Sequence, residues 1–326
     1  MAGMRNMNTS VTMQSHAENY LAERRRLGYG LRTTGYAVKS FARYVDALGL
    51  EGPLTVEVMA AWAQEANSDT PTTWARRLKK LRPFARYLQQ FDPRTEVPDD
   101  TTFGRVGQRL TPHIYTEQEI VDLLAEARRL GPDLRGATYE ALFGLLAATG
   151  LRVSEAVHLM DADVDLNSGL LTVRQTKFAK SRQVPLHPST VEVLHQYRGL
   201  RNLHIAVTEE MPFFVSTRGQ RRGCALGLRQ VRRVFRRLRD HLGWVNRGAH
   251  AAPRIHDLRH TFVVRRVLLW HAQGVDIDQA MLALSTYVGH AMVTNTYWYL
   301  TGVPELMALA AGQFESLLPG SEVHHA

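Results

Sequence analysis

Six residues in the second half of the chain, Arg152, Lys177, His256, Arg259, His290 and Tyr299, are of the types needed to open a phosphodiester without a metal ion. Attack at phosphorus builds negative charge on the non-bridging oxygens. Two guanidiniums can meet that charge with paired, directional hydrogen bonds that a lysine cannot reproduce, a role that suits Arg152 and Arg259. His290 can add another donor, and the imidazole of His256 titrates in the range needed to accept or relay a phenolic proton. Tyr299, nine residues after His290, supplies the phenol as nucleophile, and Lys177 can protonate the leaving oxygen. Taken singly, each has a plain structural reading: an arginine after a helix end is ordinarily a surface residue, and a lone histidine is ordinarily structural. It is the set, in this order, that points to chemistry.

The elements around these residues follow from local pattern. A helix from roughly Ala137 to Thr149 stops at Gly150, a residue suited to the left-handed conformation beyond a helix terminus, and Arg152 comes next but one. Glu155 lies one helical turn further on. Between Ala162 and His187 short strand-like runs are separated by turns at Asn167, Ser168 and Gly169 and again at Lys177 to Lys180, which predicts a small antiparallel sheet inserted into a helical domain. Lys180 shares the second turn with Lys177 and competes with it for the role of acid. Tyr297 precedes Tyr299 by two residues, so on a helix the pair would point about 200° apart and only one could face a phosphate. The remaining histidines have no metal-ligand spacing and no cysteine partners, so no metal site is expected.

From His16 to about Phe91 the chain reads as helices, with Tyr20, Leu21, Phe41, Tyr44, Val45 and Leu48, then Trp74, Leu78, Leu81, Phe84, Ala85 and Leu88 at helical spacing. Arg76, Arg77, Lys79 and Lys80 form a basic cluster that fits a solvated helix face or a DNA contact equally well. From Asp92 to Pro112 periodicity fails among prolines and glycines, the mark of a linker. Thr116 and Glu119 then make a capping-box pattern that opens the helix TEQEIVDLLAEARRL. Past Gly227 another helix carries Arg229, Arg232, Arg233 and Arg236 with no acidic residue before Asp240. Such a face repels itself unless a polyanion neutralises it. The expected organisation is a flexible start over 1–15, a helical domain over 16–92, a linker over 93–110, a second domain that carries the six residues over 111–318 and a disordered tail over 319–326.

The bulk properties fit a nucleic acid or an anionic membrane surface as partner. The 326 residues hold 40 Lys and Arg against 31 Asp and Glu, for a net charge of +9, and an excess of this sign draws a protein toward polyanions. Cys224 is the only cysteine, which excludes an intramolecular disulfide and a cysteine-rich zinc site. No apolar stretch is long enough to span a bilayer, and the amino terminus lacks a signal-peptide core. A cytoplasmic, nucleoid-associated protein is the expectation.

The strings ATGLRVSEAVHL (148–159), TKFAKSRQVPL (176–186), HDLRHTF (256–262) and VGHAMVTNTYWYL (288–300) resemble the tyrosine recombinase, or phage integrase, family. The helical amino-terminal part resembles, less strongly, that family's core-binding domain. The resemblance implies a mainly α fold with a small antiparallel β-sheet, in which Arg152, Lys177, His256, Arg259, His290 and Tyr299 form the catalytic set and Glu155 helps to hold Arg152. It favours Lys177 over Lys180 and Tyr299 over Tyr297. It further implies cleavage of double-stranded DNA through a 3′-phosphotyrosyl intermediate with no cofactor, metal or ATP, within a homotetramer on DNA. In that assembly the terminal segment from Pro304 to Leu318 would dock on a neighbouring protomer. The run TYWYL departs from the polar residues common around the family's nucleophile. The carboxyl-terminal sequence resembles transposon-type members, which favours integration of a mobile element. A catalytically silent DNA-binding regulator of the same fold and a type IB topoisomerase-like strand transferase are the alternatives.

Overall fold

The computed structural model describes residues 12–302 apart from 51, 67–69, 105, 106, 108, 175–180, 209 and 291. The chain divides into two compact units, Met1–Arg109 and Leu110–Ala326.

The first unit is built from α1 (Met13–Arg26), α2 (Arg32–Leu48), α3 (Val56–Gln64) and α4 (Pro71–Leu88). Helix α1 begins three residues before the expected start at His16, because the Thr12 side chain accepts from the Ser15 N–H and caps it there. Tyr20, Leu21, Val38, Phe41, Val45, Trp62, Leu78, Leu81, Phe84 and Leu88 are buried together. Leu48, expected among them, is exposed at the helix end. The first part of the expected linker is not a free tether. Thr95 is buried, the Glu96 N–H donates to the Leu54 carbonyl at 2.9 Å, and the Glu96 carboxylate accepts from the Val56 N–H at the start of α3.

The second unit contains α5 (Glu117–Arg128), α6 (Asp133–Thr149), the short α7 (Val153–Val157), strands β1 (Val164–Asp165), β2 (Leu170–Val173) and β3 (Arg182–Pro185), then α8 (Pro188–His204), α9 (Leu228–Leu242), α10 (Asp257–Ala272), α11 (Ile277–Val288) and α12 (Thr294–Gly302). The strands form one antiparallel sheet in the order β1-β2-β3, with Leu171 opposite Val164 on one side and Val184 on the other. The fold is therefore the mainly helical one expected, with its small sheet. The capping box forms: Thr116 Oγ1 accepts from the Glu119 N–H, and the Glu119 carboxylate accepts from the Thr116 N–H. Helix α6 starts one turn earlier than the apolar pattern suggests, with Asp133 in its first turn, where a carboxylate favours the helix dipole. Its apolar residues Leu142, Phe143, Leu145 and Leu146 lie at the centre of the unit with Phe213, Phe214 and Phe235. A second cluster, of Phe262, Val263, Val264, Val267, Met281, Leu284 and Val288, joins α10 to α11 and contains Tyr299.

Candidate active site

Arg152 stands at the amino-terminal cap of α7, two residues after Gly150 ends α6 at φ 63°. Its backbone N–H donates to Glu155 Oε2 at 3.0 Å and its Nη1 to Glu155 Oε1 at 2.7 Å, while Nη2 donates to the Gly289 carbonyl at 2.8 Å. The guanidinium is thus fixed from two elements, α7 and the turn that leads to α12, and is still part-exposed.

Glu155 has a second partner that the motifs do not single out. Arg182, at the start of β3, donates from Nη2 to Glu155 Oε2 at 2.9 Å and from Nη1 to Oε1 at 3.2 Å, and from Nε to the Tyr287 carbonyl at 2.8 Å. Burial pushes the Glu155 carboxyl pKa up, but the hydrogen bonds and charges of Arg182 and Arg152 outweigh it and hold the group below its usual range. Gly289 makes the close approach possible. It adopts φ 69°, and a Cβ there would come within 2.6 Å of Arg182 Nη1. The signal for Arg182 was present in the sequence as the third basic residue of TKFAKSR.

His256, Arg259 and His260 open α10 at spacings of three and four residues, which places them on one face of the helix. The first turn is anchored by the fully buried Asp257, whose carboxylate accepts from the Arg254 N–H and guanidinium. Arg259 is 2% exposed. Its Nη1 donates to the Gly150 carbonyl at 2.7 Å, whereas its Nη2 is buried with no hydrogen-bond partner. Burial and the neighbouring charge of Arg152 pull the Arg259 pKa down to about 10, which leaves the group cationic at neutral pH. An unpaired buried guanidinium nitrogen costs stability unless an anionic oxygen meets it.

His256 keeps part of its surface open but is flanked closely by protein. That desolvation, followed by the charges of Arg259 and Arg254, lowers its pKa below the ordinary histidine range. His260 shifts further in the same direction, again chiefly by burial, then through His256 and Arg254. The two rings meet edge to face at 4.9 Å.

The last two members come from the end of the unit. His290 follows the left-handed Gly289, and its Nδ1 lies 2.7 Å from Thr296 Oγ1. Tyr299 on α12 is 2% exposed, with its ring 6.4 Å from that of His290. Its hydroxyl oxygen lies 2.7 Å from His260 Nδ1. Tyr297 turns elsewhere, donating from its hydroxyl to Asp278 Oδ1 at 2.9 Å. Arg152, Glu155, His256, Arg259, His290 and Tyr299 are therefore gathered in one unit, while Lys177 and its competitor Lys180 lie outside the described residues. His260 was missed because it read as one more residue of HDLRHTF rather than as a neighbour of the phenol.

The basic residues are placed as follows. On α9, Arg229, Arg232, Arg233 and Arg236 are exposed, with Arg237, opposite the buried Val231, Val234, Phe235 and Leu238. On α4, Arg76, Lys79 and Lys80 line an open groove of about 530 Å³ together with Arg24, Tyr20 and Tyr29. Arg77 instead stacks its guanidinium over the Trp62 ring at 4.2 Å and donates to the Trp62 carbonyl, so its charge serves the core of its own unit. Among the described residues no three His, Cys, Asp or Glu side chains converge in a way that could hold a metal ion, and no helix is long and apolar enough to cross a membrane.

Comparison with known proteins matches residues 114–302 to the model of the phage integrase family. The chain is 38% identical over 310 residues to "Putative integrase/recombinase y4rB" of Sinorhizobium fredii, covering 93% of this chain and 97% of that one. It is 30% identical over 225 residues to tyrosine recombinase XerC of Chromobacterium violaceum, covering 69% and 68%. The fold is shared with the XerH site-specific recombinase in its post-cleavage complex with difH DNA, at a TM-score of 0.62, 19% identity and coverage of 94% and 86%. It is shared equally with the Tn1549 transposon integrase bound to transposon right-end DNA, at a TM-score of 0.62, 16% identity and coverage of 93% and 99%. On the length of the family match and the depth of these identities, the chain belongs to the phage integrase family of tyrosine recombinases.

Proposed function

We propose that this recombinase cuts and rejoins double-stranded DNA at specific sites through a 3′-phosphotyrosyl intermediate, with no metal or ATP, and that Tyr299 is the nucleophile. The Tyr299 oxygen attacks the scissile phosphorus and its proton leaves toward His256, directly or by relay. The bond to the 5′ oxygen breaks, and that oxygen takes a proton from Lys177. The reverse sequence, with the 5′ hydroxyl of a partner strand attacking, reseals the DNA. The covalent link conserves the energy of the broken phosphodiester, which removes the need for a nucleotide.

The observation that carries this reading is the state of Arg259: cationic, buried, held by one nitrogen on the Gly150 carbonyl and unsatisfied at the other, beside Arg152 and the Tyr299 phenol. A phosphate oxygen completes that arrangement as no neighbouring protein group does. Arg152 grips the same phosphate from the other side and His290 adds a donor. Glu155, shared with Arg182, sets the angle of Arg152. The exposed arginines of α9 and the α4 groove with Arg76, Lys79 and Lys80 hold the flanking phosphates. The working assembly is a homotetramer on paired sites in the cytoplasm; the segment 304–318, expected to dock on a neighbouring protomer, lies outside the described residues. The matches to an integrase/recombinase and to the fold of a transposon integrase favour movement of a mobile element.

The test is a suicide DNA substrate nicked beside the cleavage site, incubated in chelator without ATP and read as a denaturation-resistant protein–DNA adduct. Wild type and Tyr297→Phe should form it. Tyr299→Phe should bind the DNA and form none. An adduct in Tyr299→Phe would reject the assigned nucleophile, and dependence on added divalent ion would reject the metal-free mechanism.

A further inference from the structure

His260 lies on the face of α10 that carries His256 and Arg259, one turn past the first histidine. Its ring nitrogen meets the phenol: Nδ1 to the Tyr299 hydroxyl oxygen is 2.7 Å. The contact is supported on several sides. The two rings lie 5.4 Å apart, the Trp298 ring stands 6.2 Å from that of His260, and the His256 ring closes another edge. Tyr299 is packed in the α10–α11 apolar cluster, so its hydroxyl has little freedom of its own.

We propose that His260 positions the nucleophile, its neutral ring accepting a hydrogen bond from the Tyr299 hydroxyl at Nδ1 and so aiming the phenolic oxygen at the phosphate held by Arg152 and Arg259. This deepens the strand-transfer reading above and rests on it. A phenolic O–H has two preferred orientations in the plane of its ring; an acceptor at hydrogen-bond distance selects one of them, fixing the proton on one side and turning a lone pair to the other. For Nδ1 to accept, the ring must be neutral with its proton on Nε2. The pocket enforces neutrality. Desolvation and the nearby charges of Arg254 and Arg259 hold the imidazole pKa far below the ordinary range, so at any working pH His260 has a lone pair to offer and adds no cation to compete with the two arginines for phosphate. The same contact explains which tyrosine is used, since the Tyr297 hydroxyl is spent on Asp278, away from the histidines.

The test compares the wild type with His260→Asn, whose amide oxygen can stand where Nδ1 accepts, and His260→Phe, which keeps a ring and loses the acceptor. Each is measured for thermal unfolding, for affinity to the same DNA, and for the single-turnover rate of adduct formation. His260→Phe should bind as the wild type does and form adduct about 100-fold more slowly, the usual consequence of misplacing a reacting atom, with His260→Asn recovering at least about tenfold of the loss. Substrate with sulfur in place of the bridging 5′ oxygen needs no proton on its leaving group, so it should relieve Lys177→Ala but leave the His260→Phe defect in place. If His260→Phe does not fold, His260→Gln, whose polar atoms reach the Nε2 position instead, takes its place with the same expected loss. A folded His260→Phe with near-wild-type rate overturns the proposal. So does a defect abolished by the sulfur substrate, or a His260→Asn as slow as His260→Phe. Absence of adduct in the wild type would instead strike the strand-transfer reading itself.

Discussion

At the guanidinium of Arg259 one terminal nitrogen is committed to the Gly150 carbonyl and the other is buried without a hydrogen-bond partner, and most of the proposed chemistry turns on that difference. Replacing Arg259 or Arg152 with alanine removes donors that meet charge arising in the transition state, and single-turnover adduct formation should fall by about 10²–10³-fold. Arg259→Lys should recover little, because an ammonium cannot hold Gly150 and a phosphate oxygen with one planar fork. Recovery to near wild type by lysine would show that charge alone suffices and would remove the bidentate role. At this scale residue type and order were enough to single out the arginines, His290 and Tyr299, which the fold gathers in one unit. The sequence was silent on what His260 meets, and it showed Arg182 in TKFAKSR without showing its partner. Nothing in one dimension says that a ring nitrogen four residues past His256 meets a phenol 39 positions later, or that a strand arginine crosses to Glu155 and to the carbonyl end of α11. Arg77 shows the opposite error: within a basic cluster, spacing could not separate the one cation that turns inward onto Trp62.

The elements carry these side chains through a few tight junctions, and Gly289 is the narrowest. Any Cβ there faces both a disfavoured left-handed backbone and the Arg182 guanidinium at 2.6 Å. Gly289→Ala should cost about 1–3 kcal/mol of stability and shift His290 and α12 with it, measured as a lower unfolding midpoint together with slower adduct formation. Unchanged stability and rate would show that the junction is slack. The helices and the hairpin strands were legible from periodicity, capping and turn residues, including the Thr116–Glu119 box and the stop at Gly150. The start of α6 and the packed part of the linker were not, because an early helix turn and the hydrogen bonds between Glu96 and Leu54 depend on partners rather than on pattern. Acid should loosen this unit in a defined order. His113, His256 and His260 all have pKa values lowered chiefly by burial, and Glu119 and Glu155 are held low by their arginine and backbone partners against it. For every one of these groups the unfolded chain binds the proton more tightly, so the stability they contribute is present at neutral pH and is lost as pH falls. The unfolding midpoint should drop first below about pH 6.5 as the histidines charge, then more steeply below about pH 4.5 as the carboxylates protonate. A midpoint that rises between pH 7 and pH 5 would contradict the assigned directions.

As a whole the molecule is a basic chain of two units, each with cations arranged on its surface: the α9 arginines on one and the groove of Arg24, Arg76, Lys79 and Lys80 on the other. If these surfaces hold phosphates, affinity for DNA should fall steeply with salt, and Arg232→Gln with Arg236→Gln should reduce the slope of log K against log salt by about 1 for each phosphate left without its arginine. An unchanged slope would place the DNA elsewhere. Composition announced the polyanion and the motifs announced the family; the target sequence is read by side-chain geometry against base edges, which neither residue type nor spacing encodes. Tyr299 should become bonded to DNA, which is tested by digesting the trapped wild-type adduct and locating the nucleotide-bearing residue by mass spectrometry. A 3′-linked nucleotide is expected on Tyr299. A nucleotide on Tyr297 or any other residue, or a 5′ linkage, would contradict it.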